Sequence, residues 1–553
     1  MSETIPSVAA QIPASLHAPV AAKLALALDA RLAERMRAVD PSPWGGPAVA
    51  EVANRLGWLT IAERMRGELD GIRAFAAEIA ADGYSDAVLL GMGGSSLAPE
   101  VLRRTFSQRD GYPRLHVLDS TDAEAVRAVQ AAIELPRTIF IVSSKSGGTI
   151  EPLSLFAHFF SLSGQASNFL AITDPGSGLE KLADEHGFRR TFLGDPDIGG
   201  RYSALSPFGI VPAALMGVDV EPLLSGACAA WETEIEGDLG GGEAGAERLG
   251  AAVWLGAALS ALAQTGRDKL TFLISDSLPG LGLWLEQLVA ESTGKHATGI
   301  LPVADEPLGA PADYGEDRVF AYLPDVGSPD QQLQRSAAAL AAAGHPLLEI
   351  PTRGPADLGR VLMLAEIAVA AAGWGLEINP FDQPNVQQAK DATKRVLAGY
   401  EQDHELHPPA DATVGDLRAL TLDAGPPAYV AIMAYVKPSA AFDEAASELR
   451  EAIRAVTGVT TTFGYGPRFL HSTGQFHTGG PRTGRFLQLL HDGAEDVEIP
   501  GAPYTFTTLK NAQAIGDLQT LRELGLPAGR LRLRGEDPVG ALRALTATIK
   551  EQT

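Results

Sequence analysis

Residues 138–149 read TIFIVSSKSGGT, and this stretch decides the fold class. Its first half is a run of β-branched and aromatic residues of the length of one buried strand. Its second half is a turn of hydroxyl-bearing residues in which Gly147 and Gly148 permit backbone conformations closed to other residues. An apolar segment of helical length follows Thr149. A buried strand, a glycine-rich turn and a helix are the repeating unit of a parallel α/β sheet.

The same rhythm recurs along the chain in two series of short apolar runs that end in Gly, Ser or Asp turns. The first series lies at 87–90, 115–120, 138–149 and 168–178, and the second at 269–276, 317–325 and 346–351. Strands that alternate with helices predict parallel sheets covered by helices on both faces. We therefore predict an α/β fold with two doubly wound parallel sheets, which suggests a duplicated architecture.

Four segments are expected. Residues 15–80 show apolar positions at helical spacing, and the glycine-dense stretch 237–250 is a plausible boundary loop. A further strand-like run at 429–436 and an amphipathic helix at 441–458 begin a C-terminal α/β section. The predicted boundaries are 1–80 for a helical segment, 81–240 and 250–410 for the two sheet domains, and 411–553 for the C-terminal section.

Composition narrows the class of protein. The formal net charge of −24 over 553 residues argues against nucleic acid or an anionic membrane as a partner. Cys228 is the only cysteine, which is typical of a reducing compartment. The N-terminus lacks the pattern of a secretory signal, and the apolar runs near 251–263 and 361–376 are interrupted. We expect a soluble, cytoplasmic protein.

The turn at 143–149 has the composition of a phosphate site. The hydroxyls of Ser144, Ser146 and Thr149 converge with the free N–H groups of a helix start, which carries a partial positive charge. Lys145 adds a full one. The lysine precedes the glycines, unlike a Walker A loop, and 91–96 lacks dinucleotide spacing. The turn predicts a phosphate monoester site; a Ser/Thr-capped helix without a ligand is the alternative.

Four further segments occur in order: GMGGSSLAP at 91–99, GGRYSALSPFG at 199–209, ESTGK at 291–295 and INPFDQPNVQQAK at 378–390. Together with SSKSGGT they resemble the phosphoglucose isomerase family over roughly residues 85–395. The resemblance implies two SIS-type (sugar-isomerase) domains and interconversion of glucose 6-phosphate and fructose 6-phosphate through an enediolate. It also implies a homodimer without a metal or other cofactor.

The resemblance carries roles onto individual residues. Glu291 is implied as the base that moves a proton between two neighbouring carbons, and Arg201 as the cation that stabilises the enediolate. Lys390 is implied in opening the sugar ring. The remaining implied substrate contacts are Gly94, Ser95, Ser144, Lys145, Ser146, Thr149 and Gln383.

The family's other ring-opening group is a histidine between the ESTGK and FDQP segments. This chain has only His296 and His345 there, and neither has the expected flanks. A similar string, STGQFHTGGP, stands at 472–481 instead, in a section that resembles the isomerase half of bifunctional transaldolase/phosphoglucose isomerases; we expect no transaldolase half. We predict that His477, or with less support His471, supplies this group across a domain or subunit boundary.

Three other readings stay open. A metal-dependent isomerase would need clustered His and Glu ligands, for which only HELH at 404–407 is a candidate. An isomerase that also accepts mannose 6-phosphate would share the same motifs. A non-catalytic sugar-phosphate sensor would keep the phosphate loop, but it has no need of a base such as Glu291.

Overall fold

A computed structural model describes residues 8–235 and 249–551, so the predicted boundary loop at 237–250 lies almost entirely outside the described residues. The strands are β1 Ala9–Gln11, β2 Asp86–Gly91, β3 Arg114–Leu118, β4 Thr138–Ser143, β5 Phe169–Thr173, β6 Arg190–Leu193, β7 Lys269–Ile274, β8 Leu301–Val303, β9 Arg318–Leu323, β10 Leu347–Glu349, β11 Tyr429–Tyr435, β12 Thr460–Tyr465, β13 Gly484–Leu490 and β14 Ala528–Arg532. The helices are α1 Ala14–Asp29, α2 Leu32–Arg37, α3 Ile61–Ala81, α4 Leu97–Thr105, α5 Ala123–Ala132, α6 Ile150–Ser163, α7 Gly178–His186, α8 Pro207–Leu215, α9 Glu221–Thr233, α10 Ala251–Gln264, α11 Leu281–Thr293, α12 Gln331–Ala342, α13 Leu358–Gly375, α14 Val386–Asp403, α15 Val414–Thr421, α16 Ala440–Thr457, α17 Gly474–Gly479, α18 Phe506–Glu523 and α19 Pro538–Glu551.

The described strands form three sheets. Their orders are β3-β2-β4-β5-β6, β1-β10-β9-β7-β8 and β12-β11-β13-β14. All strand pairs are parallel except β1 with β10. Counted within its own unit, each sheet contains the order 2-1-3-4, so the predicted duplication extends to a third unit. The α/β class with two doubly wound sheets is confirmed.

Every run predicted as a strand forms one, whereas the strands β1, β6, β8, β12, β13 and β14 were not predicted. β2 and β4 are buried along their whole length, which explains why their sequences are continuously apolar rather than alternating. Sequence periodicity did not indicate β1 and β8, because each has only three residues. β1 pairs with β10, so the N-terminal segment is not wholly helical as expected but also contributes an edge strand to the second sheet.

One helix of the described chain is long and apolar enough by composition to cross a membrane. It comprises α13 and the turn before it, residues 354–375, and 89% of its most apolar window is buried inside the protein. It packs against α9, α10 and α11, as expected of a core helix.

The topology of the first sheet places its loops. The chain runs from β2 to β3 on one side of β2, and then crosses to β4 on the other side. β2 and β4 are therefore neighbours whose following helices lie on opposite faces, and a crevice opens beyond their carboxyl ends. The loops 92–96 and 144–149 follow these two strands and lie at that crevice.

Candidate active site

A cavity of about 560 Å³ lies at this crevice. Its walls come from all parts of the described chain: the N-terminal segment, both predicted sheet domains and the C-terminal section. The predicted site residues among its lining are Gly94, Ser95, Ser144, Lys145, Ser146, Thr149, Glu291, Gln383 and Lys390. Segments far apart in the sequence therefore meet at one cavity.

The loop 144–149 has the geometry expected of an anion site. Gly147 has a φ of +67°, and a Cβ there would lie 2.4 Å from the backbone nitrogen of Leu179, so this position requires glycine. Thr149 is the N-cap of α6, but its side chain makes no capping hydrogen bond. The Thr149 hydroxyl accepts a hydrogen bond from Ser144 Oγ at 3.2 Å. In the first turn of α6, Pro152 has no N–H and the Glu151 N–H bonds the carboxylate of the same residue, which leaves the Ile150 N–H for a ligand.

Lys145 is already paired. Its ammonium forms an ion pair with Asp174, which follows β5. Burial raises the pKa of the Asp174 carboxyl, and the hydrogen bond from Lys145 opposes that rise only in part. A phosphate group arriving at this loop must therefore share Lys145 with Asp174, a competition the sequence did not indicate.

Gly94 lines the cavity and also allows a close contact between two backbone segments. The sequence suggested that it lets the backbone approach the sugar. A Cβ on Gly94 would lie 2.0 Å from the carbonyl oxygen of Gly200, so the glycine also lets the loop after β2 contact the GGR turn. This contact brings Arg201 close to the cavity.

Glu291 lies in the last turn of α11, where the sequence placed it. Its residue is 9% exposed, and Oε2 accepts a hydrogen bond from Gln287 Nε2 at 3.1 Å. The Nη1 atom of Arg201 lies 3.6 Å from the same oxygen. The carboxylate is thus oriented by one neighbour on its own helix and by a buried cation.

Arg201 is 1% exposed, and four of its five N–H groups are hydrogen-bonded. Nε donates to Ser292 Oγ at 2.8 Å and Nη1 to Gln383 Oε1 at 2.7 Å. Nη2 donates to the carbonyl oxygens of Pro380 and Asp382. Arg201 therefore joins the ESTGK and FDQP segments behind the cavity wall, with Nη1 on the side of Glu291.

Gln383 and Lys390 bracket the start of α14. Gln383 precedes this helix, and Lys390 lies in its first turns with the side chain lining the cavity. Both side chains are exposed. Lys295 stabilises the backbone of the FDQP turn, because its ammonium donates to the Asn379 and Asp382 carbonyl oxygens at 2.6 Å.

The two C-terminal histidines occupy different environments. His477 lies in the core of the third sheet, where Nδ1 is hydrogen-bonded to the Tyr429 hydroxyl at 2.9 Å. It packs against Phe486, and burial lowers its pKa to about 3. The preference for His477 is therefore corrected: it does not line the cavity, because its ring packs into its own domain. His471 lines the cavity instead.

His471 is paired with a carboxylate of another domain. Its Nε2 lies 3.0 Å from Oε1 of Glu151, a residue in the first turn of α6. Burial tends to raise the pKa of Glu151, but His471 and Lys390 outweigh burial and leave this pKa below its ordinary value. The His471 carbonyl oxygen accepts a hydrogen bond from Gln287 Nε2 at 2.8 Å, so Gln287 contacts both His471 and Glu291.

A family model described as phosphoglucose isomerase matches residues 31–316, which is more than half of the chain. The chain belongs to the phosphoglucose isomerase family. A glucose-6-phosphate isomerase of Rubrobacter xylanophilus is 31% identical over 384 residues, or 60% of this chain and 86% of the relative. One of Carboxydothermus hydrogenoformans is 28% identical over 382 residues, or 57% and 80%.

Solved structures agree on the fold. A hypothetical protein of Thermus thermophilus has a TM-score of 0.57 at 25% identity and covers 71% of this chain and 100% of its own. A glucose-6-phosphate isomerase from Chlamydia trachomatis has a TM-score of 0.56 at 20% identity, covering 69% and 86%. The family match ends at residue 316, so Gln383, Lys390 and His471 lie beyond it.

Other histidines of this phosphoglucose isomerase family member lie elsewhere. His345 is buried, with Nε2 3.2 Å from the Pro311 carbonyl oxygen, and His296 is exposed. His407 of the HELH string is exposed beside Asp403. Within residues 8–235 and 249–551, no group of three or more His, Cys, Asp or Glu side chains is arranged to hold a metal ion.

Sequence reasoning missed Gln287, Glu151, Asn54 and Arg55, which line the phosphoglucose isomerase cavity or hold its histidine. Gln287 could have been identified from its spacing, because a residue four positions before Glu291 lies on the same helix face. Glu151 stands two residues after the phosphate loop but had no visible partner in the sequence. Asn54 and Arg55 carry no local signal.

Proposed function

We propose that this chain interconverts glucose 6-phosphate and fructose 6-phosphate through an enediolate, with Glu291 as the base. The observation that carries the proposal is the shared cavity: Glu291 and the hydroxyl-rich helix start at 144–149 line the same 560 Å³ space. A remote phosphate anchor and one carboxylate are what proton transfer between adjacent carbons requires. A sensor of sugar phosphates needs the anchor but not the carboxylate.

The substrate phosphate binds at the start of α6. The hydroxyls of Ser144, Ser146 and Thr149 and the Ile150 N–H at the helix start donate to it. Ser95 and Gln383 contact the sugar from the other loops of the cavity. Binding energy released at the phosphate orients the reacting carbons several bonds away.

Isomerisation then proceeds in two stages. Ring opening requires a proton at the ring oxygen and removal of the proton from the anomeric hydroxyl, and His471 with Lys390 lines the cavity for these transfers. Glu291 next takes the proton from C2 of the open aldose and returns it to C1. Arg201 stabilises the enediolate between these steps through its charge.

The test compares two glutamates of one helix in an assay on fructose 6-phosphate. Glu291→Gln keeps the size of the side chain and removes the base, so we expect kcat to fall by roughly 10²–10⁴-fold or more while substrate still binds. Glu286→Gln is the matched control, because Glu286 is buried on α11 but does not line this cavity. Full activity in Glu291→Gln, or binding without turnover in the unmodified protein, would overturn the proposal.

We further infer a cytoplasmic homodimer that engages neither nucleic acid nor a membrane. The family resemblance, the single cysteine and the net charge of −24 support this assignment. The residues lining the cavity belong to one chain, so dimerisation is not needed to supply His471. Light scattering on the purified protein measures the state directly, and a monomer would refute the dimer without affecting the assignment of Glu291.

A further inference from the structure

A buried row of hydrogen bonds continues behind His471 into the protein. Oε1 of Glu151 is contacted by His471 Nε2 at 3.0 Å and accepts a second hydrogen bond from Gln513 Nε2 at 2.7 Å. Thr121 Oγ1 donates to Gln513 Oε1 at 2.7 Å. Glu151, Gln513 and Thr121 are each at most 3% exposed. The row therefore links α6, α18 and the loop after β3 without contact to bulk water.

The chemistry of the amide fixes the direction of these bonds. With the amide of Gln513 reversed, its carbonyl oxygen would face a Glu151 oxygen at hydrogen-bond distance, and two acceptors repel each other. Only a protonated Glu151 would accommodate that orientation. The charges of His471 and Lys390 instead keep the pKa of Glu151 below its ordinary value. Gln513 thus donates to an ionised carboxylate, and Thr121 donates to the carbonyl oxygen of the same amide.

An ionised Glu151 determines which nitrogen of His471 carries a proton. Because Oε1 of Glu151 is an acceptor only, the Nε2 atom of His471 holds its hydrogen in both the neutral and the charged ring. The neutral ring then has its lone pair on Nδ1. Among the described residues Nδ1 has no hydrogen-bond partner, and the ring lines the cavity.

We propose that Gln513, held by Thr121, is a positioning residue: it keeps Glu151 an acceptor and so makes Nδ1 of His471 the nitrogen that exchanges a proton with the sugar ring. The kinetic part of this inference rests on the proposed function. Gln513 acts through Glu151 and touches no substrate. Its loss should therefore affect ring opening and leave proton transfer by Glu291 intact.

The kinetic experiment uses two substrates of one reaction. Fructose 6-phosphate closes its ring through the C5 oxygen, so 5-deoxyfructose 6-phosphate stays open and bypasses ring opening. For Gln513→Leu we expect kcat on fructose 6-phosphate to fall about tenfold, the size of one hydrogen bond to a charged group, with KM nearly unchanged. Turnover of the 5-deoxy substrate should stay within about twofold.

The matched control is Gln488→Leu. Gln488 is a fully buried glutamine of β13 that donates to the Ala514 carbonyl oxygen, next to Gln513 on α18, and it does not line the cavity. It should leave the ratio of the two substrates unchanged. Equal losses on both substrates in Gln513→Leu, or the same ratio in both variants, would overturn the proposal. If Gln513→Leu does not fold, Thr121→Val carries the test with a near-isosteric change.

A second readout does not depend on activity. In protein labelled with ¹⁵N-histidine, nitrogen chemical shifts distinguish the two neutral tautomers, and His471→Asn assigns the signal. We expect the Nε2–H form in the unmodified protein and a mixture of tautomers in Gln513→Leu. An Nδ1–H form in the unmodified protein would refute the inference even in an active enzyme, whereas an inactive protein with the Nε2–H form would refute the proposed function alone.

Discussion

The first and third sheets share one strand order but use their carboxyl ends differently. Beyond β2 and β4 of the first sheet, the loops leave a cavity lined by hydroxyls. In the third sheet, β13 occupies the position that β4 has in the first. Beyond the carboxyl end of β13, the buried ammonium of Lys510 contacts Asp492 and the His491 carbonyl oxygen. It also reaches Asp122 of the first domain at 2.8 Å. The carboxyl ends of the first sheet thus form the cavity, whereas those of the third sheet pack against the first domain.

The difference teaches that strand order alone does not make a binding site. The third sheet and the helices around it form what we call the third domain. Its turn after β12 carries His471, and its helix α18 carries Gln513. Arg468 of the same turn makes a bidentate ion pair with Asp119 of the first domain at 2.7 Å. The third domain therefore packs on the first and contributes His471 to the wall of its cavity.

The largest effect tests whether this domain contributes one histidine and not the other. His471→Asn should reduce turnover of fructose 6-phosphate by roughly 10²–10⁴-fold, because it removes the ring-opening acid and base. His477→Asn keeps an acceptor for the Tyr429 hydroxyl and should leave turnover nearly unchanged. Steady-state kinetics of both variants decide it; the reverse ranking would restore His477 to the site.

The next effect follows from removing Lys510, whose ammonium joins the third domain to Asp122 of the first. Lys510→Met leaves the buried carboxylate of Asp122 without its cation and removes one of the partners of the half-buried Asp492. Loss of one partner of such a pair costs about 3–5 kcal/mol of unfolding free energy. Chemical denaturation and the isomerase assay should show lower stability and lower activity together.

The control for Lys510 is a surface charge of the same domain. Arg543→Met removes an exposed ion pair with Glu444 and Glu448, and the unfolding midpoint should not change measurably. Stability loss without activity loss in Lys510→Met would show that the third domain docks without organising the cavity.

A smaller effect is the pH dependence of stability that the buried His477 causes. The pKa of His477 is about 3 in the folded protein and about 6.5 when unfolded, so below pH 6.5 the unfolded chain binds a proton that the native chain does not. Stability is therefore lost as the pH falls through 6.5 towards 3, by about 1.3 kcal/mol between pH 7 and 5.5. In thermal unfolding, His477→Asn should lose less stability between pH 7 and 5.5 than the unmodified protein; equal losses would contradict the buried neutral state.

The smallest effect is expected at two threonines in equivalent positions. Thr149 precedes the helix after β4 of the first sheet, and Thr505 precedes the helix after β13 of the third. Thr149→Val should raise KM roughly tenfold by removing a donor to the phosphate, with little change in stability. Thr505 caps α18 by accepting a hydrogen bond from the Thr508 N–H, so Thr505→Val should cost about 1 kcal/mol of stability and leave KM unchanged. A KM effect at Thr505 instead would mean that both edges bind ligand.

Much of the fold was readable from local sequence. Buried parallel strands are continuously apolar, and glycine-rich turns mark their ends, so β2, β4, β5, β7 and β9 were predicted within a few residues. Short strands such as β1 and β8 have no period long enough to detect, because their positions depend on a neighbouring strand.

The sequence by itself determined the α/β class, the family resemblance, the phosphate loop and the segments that carry Glu291, Arg201 and Lys390, because each depends on residues close together in the chain. Only the tertiary structure decided that His471 faces the cavity while His477 is buried, and that Lys145 pairs with Asp174. The contact between His471 and Glu151 joins residues 320 positions apart. Which side chain meets which across such a distance depends on how the domains pack, and no local pattern encodes that packing.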